Sequence, residues 1–152
     1  ADVARQGFER FEAFLSTAWN EGRPDSYTAL GNVGAAYLAF ARTEPAYYSA
    51  MFEAGIPLDD HPELREVSDR AFAIVRGATE ELCSTLPAAK RPPALMVALH
   101  IWSLAHGIAS LFARGDPGRR RLPMTPEELL EAGVLISLLG LGLAGEGPSG
   151  AP

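Results

Sequence analysis

Apolar residues recur at three- and four-residue steps along most of the chain, the spacing of helices with one buried face. Phe8, Phe11, Leu15 and Trp19 form the first stripe, widened by Phe14, and Asn20-Glu21-Gly22-Arg23-Pro24 stops it. Asp25 or Ser26 can cap a second helix whose inner face reads Leu30, Val33, Tyr37, Leu38 and Ala41. Thr43-Glu44-Pro45 ends or bends that helix, because proline lacks a donor and clashes with the preceding turn. Pro45 also suits the first position of a short third helix, which carries Tyr47, Tyr48, Met51 and Phe52 and stops at Gly55-Ile56-Pro57. Asp59-Asp60-His61-Pro62-Glu63 starts a fourth helix, with acidic residues where the helix dipole favours them. Leu64, Val67, Ala71, Ile74 or Val75, Ala78 and Leu82 then point inward. Arg65, Glu66, Asp69, Arg70, Glu80 and Glu81 lie mainly off that stripe and read as solvated faces.

The last third of the chain changes character. No charged residue falls between Ala94 and Ala113, and the helix expected from about Ala94 to Arg114 is apolar on two faces. One face holds Leu95, Leu99, Trp102, His106, Ala109 and Ala113; the other holds Val97, Ile101, Leu104, Ile108 and Leu111. Gly115-Asp116-Pro117-Gly118 closes it. Thr125-Pro126-Glu127-Glu128 then combines a cap, a first-position proline and a capping-box glutamate. The final helix, to about Ala144, shows Leu129, Gly133, Ile136, Gly140 and Leu143 on one side and Leu130, Val134, Leu138 and Leu141 on another. One apolar face of each helix serves the subunit core, and the leftover faces need a partner. The pattern therefore predicts an all-α bundle of about six helices whose last two pair two-fold into a four-helix homodimer interface. The interface is expected to use Val97, Ile101, Leu104 and Ile108 together with Leu130, Val134, Leu138 and Leu141. One domain is expected over residues 1–145, followed by a disordered Gly/Pro/Ser tail over 146–152.

Composition narrows the function classes. The net charge of −6 argues against a nucleic-acid-binding surface, and Arg119-Arg120-Arg121 reads as a solvated loop. A single cysteine, Cys83, excludes an internal disulfide and reads as a small buried residue. The N-terminus lacks the basic and apolar regions of a signal peptide, so a cytoplasmic protein is expected. Ala94–Ala113 is long enough to span a bilayer, but His100 and His106 are costly in lipid, and a buried central helix explains it better, since a helix apolar all round belongs in a core or an interface.

Candidate chemistry is sparse. There is no phosphate-cradling glycine loop, CxxC, HExxH or GxSxG, and no Glu-x-x-His pair for a two-metal bundle. His100 and His106 are six apart, nearly opposite on a helix. Asp59, Asp60, His61 and Glu63 mark a helix start rather than a cation site. No enzyme, metal or cofactor is expected. Trp102 and His106, one turn apart, form either a satisfied core pair or a pocket wall, and Gly107 beside them makes sense if something packs close to the backbone. The pocket candidates are Tyr37, Phe40, Tyr48, Met51 and Phe52 with Phe72, Val75, Trp102 and His106. Aromatic and methionine walls with few polar groups suit an apolar or aromatic ligand.

These motifs, in this order, resemble the C-terminal ligand-binding and dimerisation domain of TetR-type transcriptional regulators. The resemblance is closest to the subclass named for a Trp-His-Gly motif, here Trp102, His106 and Gly107. Gly34 to Ala41, then Glu44-Pro45-Ala46-Tyr47-Tyr48 and Met51-Phe52, are similar to the family's Pro-x-x-Tyr-x-x-Met-Phe stretch. The resemblance runs from about Phe8 to Leu143 and places the last two long helices at the family's dimerisation positions. It implies a bacterial one-component regulator in which a small-molecule effector modulates DNA binding by an N-terminal helix-turn-helix head. The first helix opens without a cap or staple, so the chain is expected to begin part-way through such a protein, lacking its head and unable to bind an operator by itself. Phe11 and Leu15 lie on what would be the joining helix. The rival expectation is a stand-alone helical carrier or enzyme that binds an apolar ligand or haem through His106 or His100.

Overall fold

Backbone chemistry at the helix ends accounts for most element boundaries. A computed structural model describes residues 1–113 and 123–142, and among these there are helices and turns but no strand. Helix α1 (Asp2–Trp19) ends where Asn20, Glu21 and Gly22 take positive φ. Helix α2 (Ser26–Thr43) is capped by Asp25, whose carboxylate accepts the Thr28 N–H at 2.8 Å and the Thr28 hydroxyl at 2.9 Å. Pro45 occupies the first turn of α3 (Pro45–Tyr48), which widens into a π-helical turn over Ser49–Glu53. Pro62 opens α4 (Pro62–Cys83) in the same way. Helix α5 (Ala94–Ile108) also widens into a π-helical turn, over Ala109–Ala113. Thr125 caps α6 (Pro126–Gly140), accepting the Glu128 N–H at 3.1 Å.

Helix α1 lies against α2 and α4, α4 supports α5, and α6 packs on α2 and α5. The inward stripes of α2 and α4 match their periodicity: Leu30, Val33, Tyr37, Leu38 and Ala41 are buried, as are Leu64, Val67, Ala71, Val75, Ala78 and Leu82. Cys83 is buried too, and desolvation pushes its thiol pKa up. The α5–α6 approach depends on Gly133, where an added Cβ would stand 2.7 Å from a Leu104 methyl. Arg42 on α2 pairs with Glu127 in the first turn of α6.

The expected dimer face needs correction. Val97, Ile101 and Ile108 are no more than 5% exposed, and Leu130 and Leu138 no more than 3%, so all five belong to the subunit's own core. Leu104 and Val134 are half-buried against that core, and only Leu141, at 36%, is exposed. Small residues decide the phase of α5: Ala98, Ala105 and Ala109 are buried and let neighbouring backbones come close. Apolar periodicity could not show this, because both faces of the helix are apolar. Among the described residues the exposed apolar surface is the other side, with Met96 on α5 and Leu135, Ile136 and Leu139 on α6. Ala94–Phe112 has the length and composition of a membrane span, yet only 33% of its most apolar window is buried within the chain. Gly107 faces open space: a Cβ added there would have nothing within 4 Å, so no close packing within the subunit explains it. Arg119–Arg121, Leu143 and the tail over 146–152 lie outside the described residues.

Candidate functional site

Five helices bring aromatic rings to one place. Phe11 of α1 meets Tyr37 of α2 at 5.1 Å between ring centroids, Phe40 at 5.0 Å and Trp102 of α5 at 5.8 Å. Trp102 also packs edge-on against Tyr37 at 5.4 Å and against Phe72 of α4 at 5.3 Å. Phe52, in the π turn after α3, joins Phe8 at 5.4 Å, Tyr48 at 5.0 Å and His106 at 5.1 Å. Except for the tilted Phe11–Phe40 and Tyr48–Phe52 pairs these are edge-to-face contacts, which each add about 0.5–1.5 kcal/mol beyond area burial.

Behind the rings lies a polar knot. The Tyr37 hydroxyl is 3.1 Å and the Tyr48 hydroxyl 2.9 Å from His106 Nδ1. That nitrogen has one in-plane position, so it makes a well-directed hydrogen bond with one hydroxyl at a time. Tyr48 has further partners in the Ser110 hydroxyl at 3.2 Å and the His106 carbonyl at 3.5 Å. Ser110 lies in the π turn that extends α5, so the wider turn helps complete the knot. Burial lowers the His106 pKa, with Glu53 opposing, and the imidazole is neutral near pH 7. Burial, reinforced by Tyr48, raises the Tyr37 pKa well above its usual value, keeping the phenol protonated.

A cavity of about 400 Å³ opens beside this cluster. Its walls are Phe8, Met51, Phe52, Ile56, Leu58, Phe72, Leu99 and Trp102, with Gly55, Ser68 and Asp69 completing the lining. Of the residues expected to line a pocket, Met51, Phe52, Phe72 and Trp102 do so. Tyr37, Phe40, Tyr48 and Val75 are buried in the packing of the core, and His106 adjoins the lining through Phe52. Phe8, Ile56, Leu58, Leu99, Ser68 and Asp69 line the cavity without being pocket candidates in the sequence. Phe8 stands on the same stripe as Phe11, a signal that periodicity alone assigns to the core. Asp69 is exposed, as a solvated face requires, but it also borders the cavity, which only tertiary structure reveals. A second cavity, of about 330 Å³, lies between α2 and α6, where Gly31 and Gly34 leave space above Leu130 and Val134. It shares no lining residue with the first cavity, and no histidine or tryptophan lines it.

Residues 30–135 match a family model described as the tetracyclin repressor-like, C-terminal domain. The chain belongs to this family. The matched region holds most of α2, all of α3 to α5, most of α6, and every residue lining the cavity beside Trp102 except Phe8. Membership makes the chain a regulatory domain type, one that in such regulators serves ligand binding and dimerisation. No curated protein and no solved structure shows significant similarity to the chain.

Proposed function

We propose that this chain, over residues 1–145, is the effector-sensing and dimerisation domain of a cytoplasmic bacterial transcriptional regulator. The observation that carries the reading is the aromatic cavity between α1, α4 and α5 in a chain of this family. Its effector is a small molecule with an apolar or aromatic body, held by Met51, Phe52, Phe72 and Trp102. The polar knot of Tyr37, Tyr48 and His106 holds the wall behind Phe52 rigid.

Coupling to DNA runs through α1. Phe8 lines the cavity, and Gly7 sits directly on Met51, whose sulfur lies 2.7 Å from where a glycine Cβ would be. A ligand that moves Met51 or Phe8 therefore moves α1, which in the parent regulator joins the domain to its DNA-binding head. The effector must bind the two positions of α1 with different affinities for this to act as a switch.

Dimerisation uses the uncovered side of α5 and α6. Ile136 is 69% exposed, Met96 55% and Leu139 50%, a level of apolar exposure that a partner would relieve. On this side His100 Nε2 donates to the Ser137 hydroxyl at 2.9 Å, and Ser137 donates to the Gly133 carbonyl at 2.9 Å. The rival reading, a carrier or enzyme holding haem through His100 or His106, has no comparable support. One histidine is bonded to Ser137 and the other to the tyrosine pair.

The test is a fluorescence titration. Trp19→Phe leaves Trp102 as the sole indole, and a panel of small aromatic molecules is titrated against it. Saturable change abolished by Phe72→Ala supports the reading; a Trp102 signal unmoved by every member of the panel contradicts it.

A further inference from the structure

The cavity beside Trp102 has mainly apolar walls, four of them aromatic, but it is not neutral in its surroundings. Phe8, Phe52, Phe72 and Trp102 present ring faces or edges to it, and Asp69 places a carboxylate at its border. Among the described residues, no cation pairs with Asp69. The nearby arginines are engaged elsewhere: Arg65 pairs with Asp59, and Arg70 with Glu12 and Glu66. From residue 53 to residue 70 the chain carries six carboxylates and only these two arginines. A cleft bordered by one sign of charge concentrates ligands of the opposite sign. Aromatic faces also attract a cation, more strongly when it is desolvated.

We infer that the ligand of this cavity is an amphiphilic cation, an aromatic or alkyl amine or quaternary ammonium, with Asp69 as the group that selects its charge. The inference rests on the proposed sensing role and goes on to name the chemical class. The apolar body fills the space between Phe72 and Phe52, and the cationic head stays at the border by Asp69. An anionic molecule of similar size meets the Asp69 carboxylate and is rejected. Ser68, at the same border, offers a hydroxyl to an N–H where the head is a protonated amine. The chain's net charge of −6 adds a field of the same preference at longer range.

Three benzyl compounds test this: benzyltrimethylammonium; neopentylbenzene, its isostere in which carbon replaces the charged nitrogen; and phenylacetate, an anion with a smaller, planar head. Each is titrated against the Trp19→Phe protein with Trp102 fluorescence as readout. The cation is expected to bind about tenfold more tightly than its carbon isostere at low salt. The Asp69→Asn variant should lose about threefold in affinity for the cation and nothing for the isostere. Raising the salt should weaken the cation alone. Asp69 is exposed, so the variant is expected to fold, and an unchanged thermal midpoint verifies that. An isostere or anion that binds as tightly as the cation, or a cation indifferent to Asp69→Asn, overturns the charge assignment while the sensing role stands. If no small aromatic molecule of any charge perturbs Trp102, the sensing role itself fails and this inference fails with it.

Discussion

The two sides of α5 are built from the same kinds of residue and end in opposite situations. On the inner side, Trp102 is enclosed by rings from α1, α2 and α4, and His106 meets two tyrosine hydroxyls. On the outer side, among the described residues, Met96 of α5 and Leu135, Ile136 and Leu139 of α6 remain exposed. Apolar content does not separate the two. What separates them is whether other helices supply complementary shape: α1, α2 and α4 do so on the inner side, while α6 covers only one edge of the outer side. The inner side accordingly leaves a cavity of ligand size, and the outer side leaves a surface suited to a second copy of the chain.

The sharpest way to break this comparison is to place a charge on each side of α6. Leu138 is fully buried, so Leu138→Arg should prevent stable folding, a loss of about 4 kcal/mol or more from an unpaired buried charge. Ile136→Arg, two residues away and 69% exposed, should leave the helical circular dichroism intact and produce a monomer. If both variants behave alike, the division into core face and partner face is wrong.

The inner side is probed next through its hydroxyls. Tyr48→Phe leaves His106 and Ser110 without a shared partner, and chemical denaturation should show a loss of about 1–3 kcal/mol. Tyr47→Phe, whose hydroxyl makes one long contact to Gln6 at 3.5 Å, should cost little. Equal losses at the two positions would show that the knot is not special.

Much of the architecture is legible in the pattern of residues, and the limits have physical causes. Helix α4 has one apolar and one charged face, and α2 sets large apolar residues on one face against small ones on the other, so periodicity yields both the element and its orientation. Caps at Asp25 and Thr125 and prolines at 45 and 62 set the starts. Helix α5 has no polar face, so its orientation depends on contacts with α2 and α4, and periodicity assigns to the partner face residues such as Ile101 and Ile108 that the core claims. The site is legible in part for a similar reason. Trp102, Phe52 and Phe72 stand out as large rings at helical spacing. The cavity they share forms only where the turn from Gly55 to Leu58 crosses α4 and α5, bringing in Asp69 from a face that reads as solvent.

The pH dependence of stability sharpens the account of His106. Its folded-state pKa lies below the unfolded value of about 6.5, so the unfolded chain binds the extra proton. Stability should therefore hold above about pH 6.5 and decline as the pH falls below it towards the folded-state value. In His106→Asn this part of the decline should vanish, measured as the difference in denaturation midpoint between pH 7.5 and pH 5.5. An identical decline in both proteins would place the titrating group elsewhere.

The smallest effect comes from Gly107. A Cβ there meets nothing within the subunit, so Gly107→Ala should favour the isolated helix by about 1 kcal/mol. If a partner's backbone approaches that position, the same substitution should weaken association. A variant that gains stability with unchanged association would remove Gly107 from the interface.

Mass in solution tests the central claim most directly. Light scattering after size-exclusion chromatography, at micromolar concentration, should give twice the 16.2 kDa chain mass for the native protein. It should give the single-chain mass for Ile136→Arg with its helical content preserved. A native protein that runs as a monomer, or an Ile136→Arg variant that remains a dimer, would contradict the assignment of the outer α5–α6 surface to a second copy of the chain.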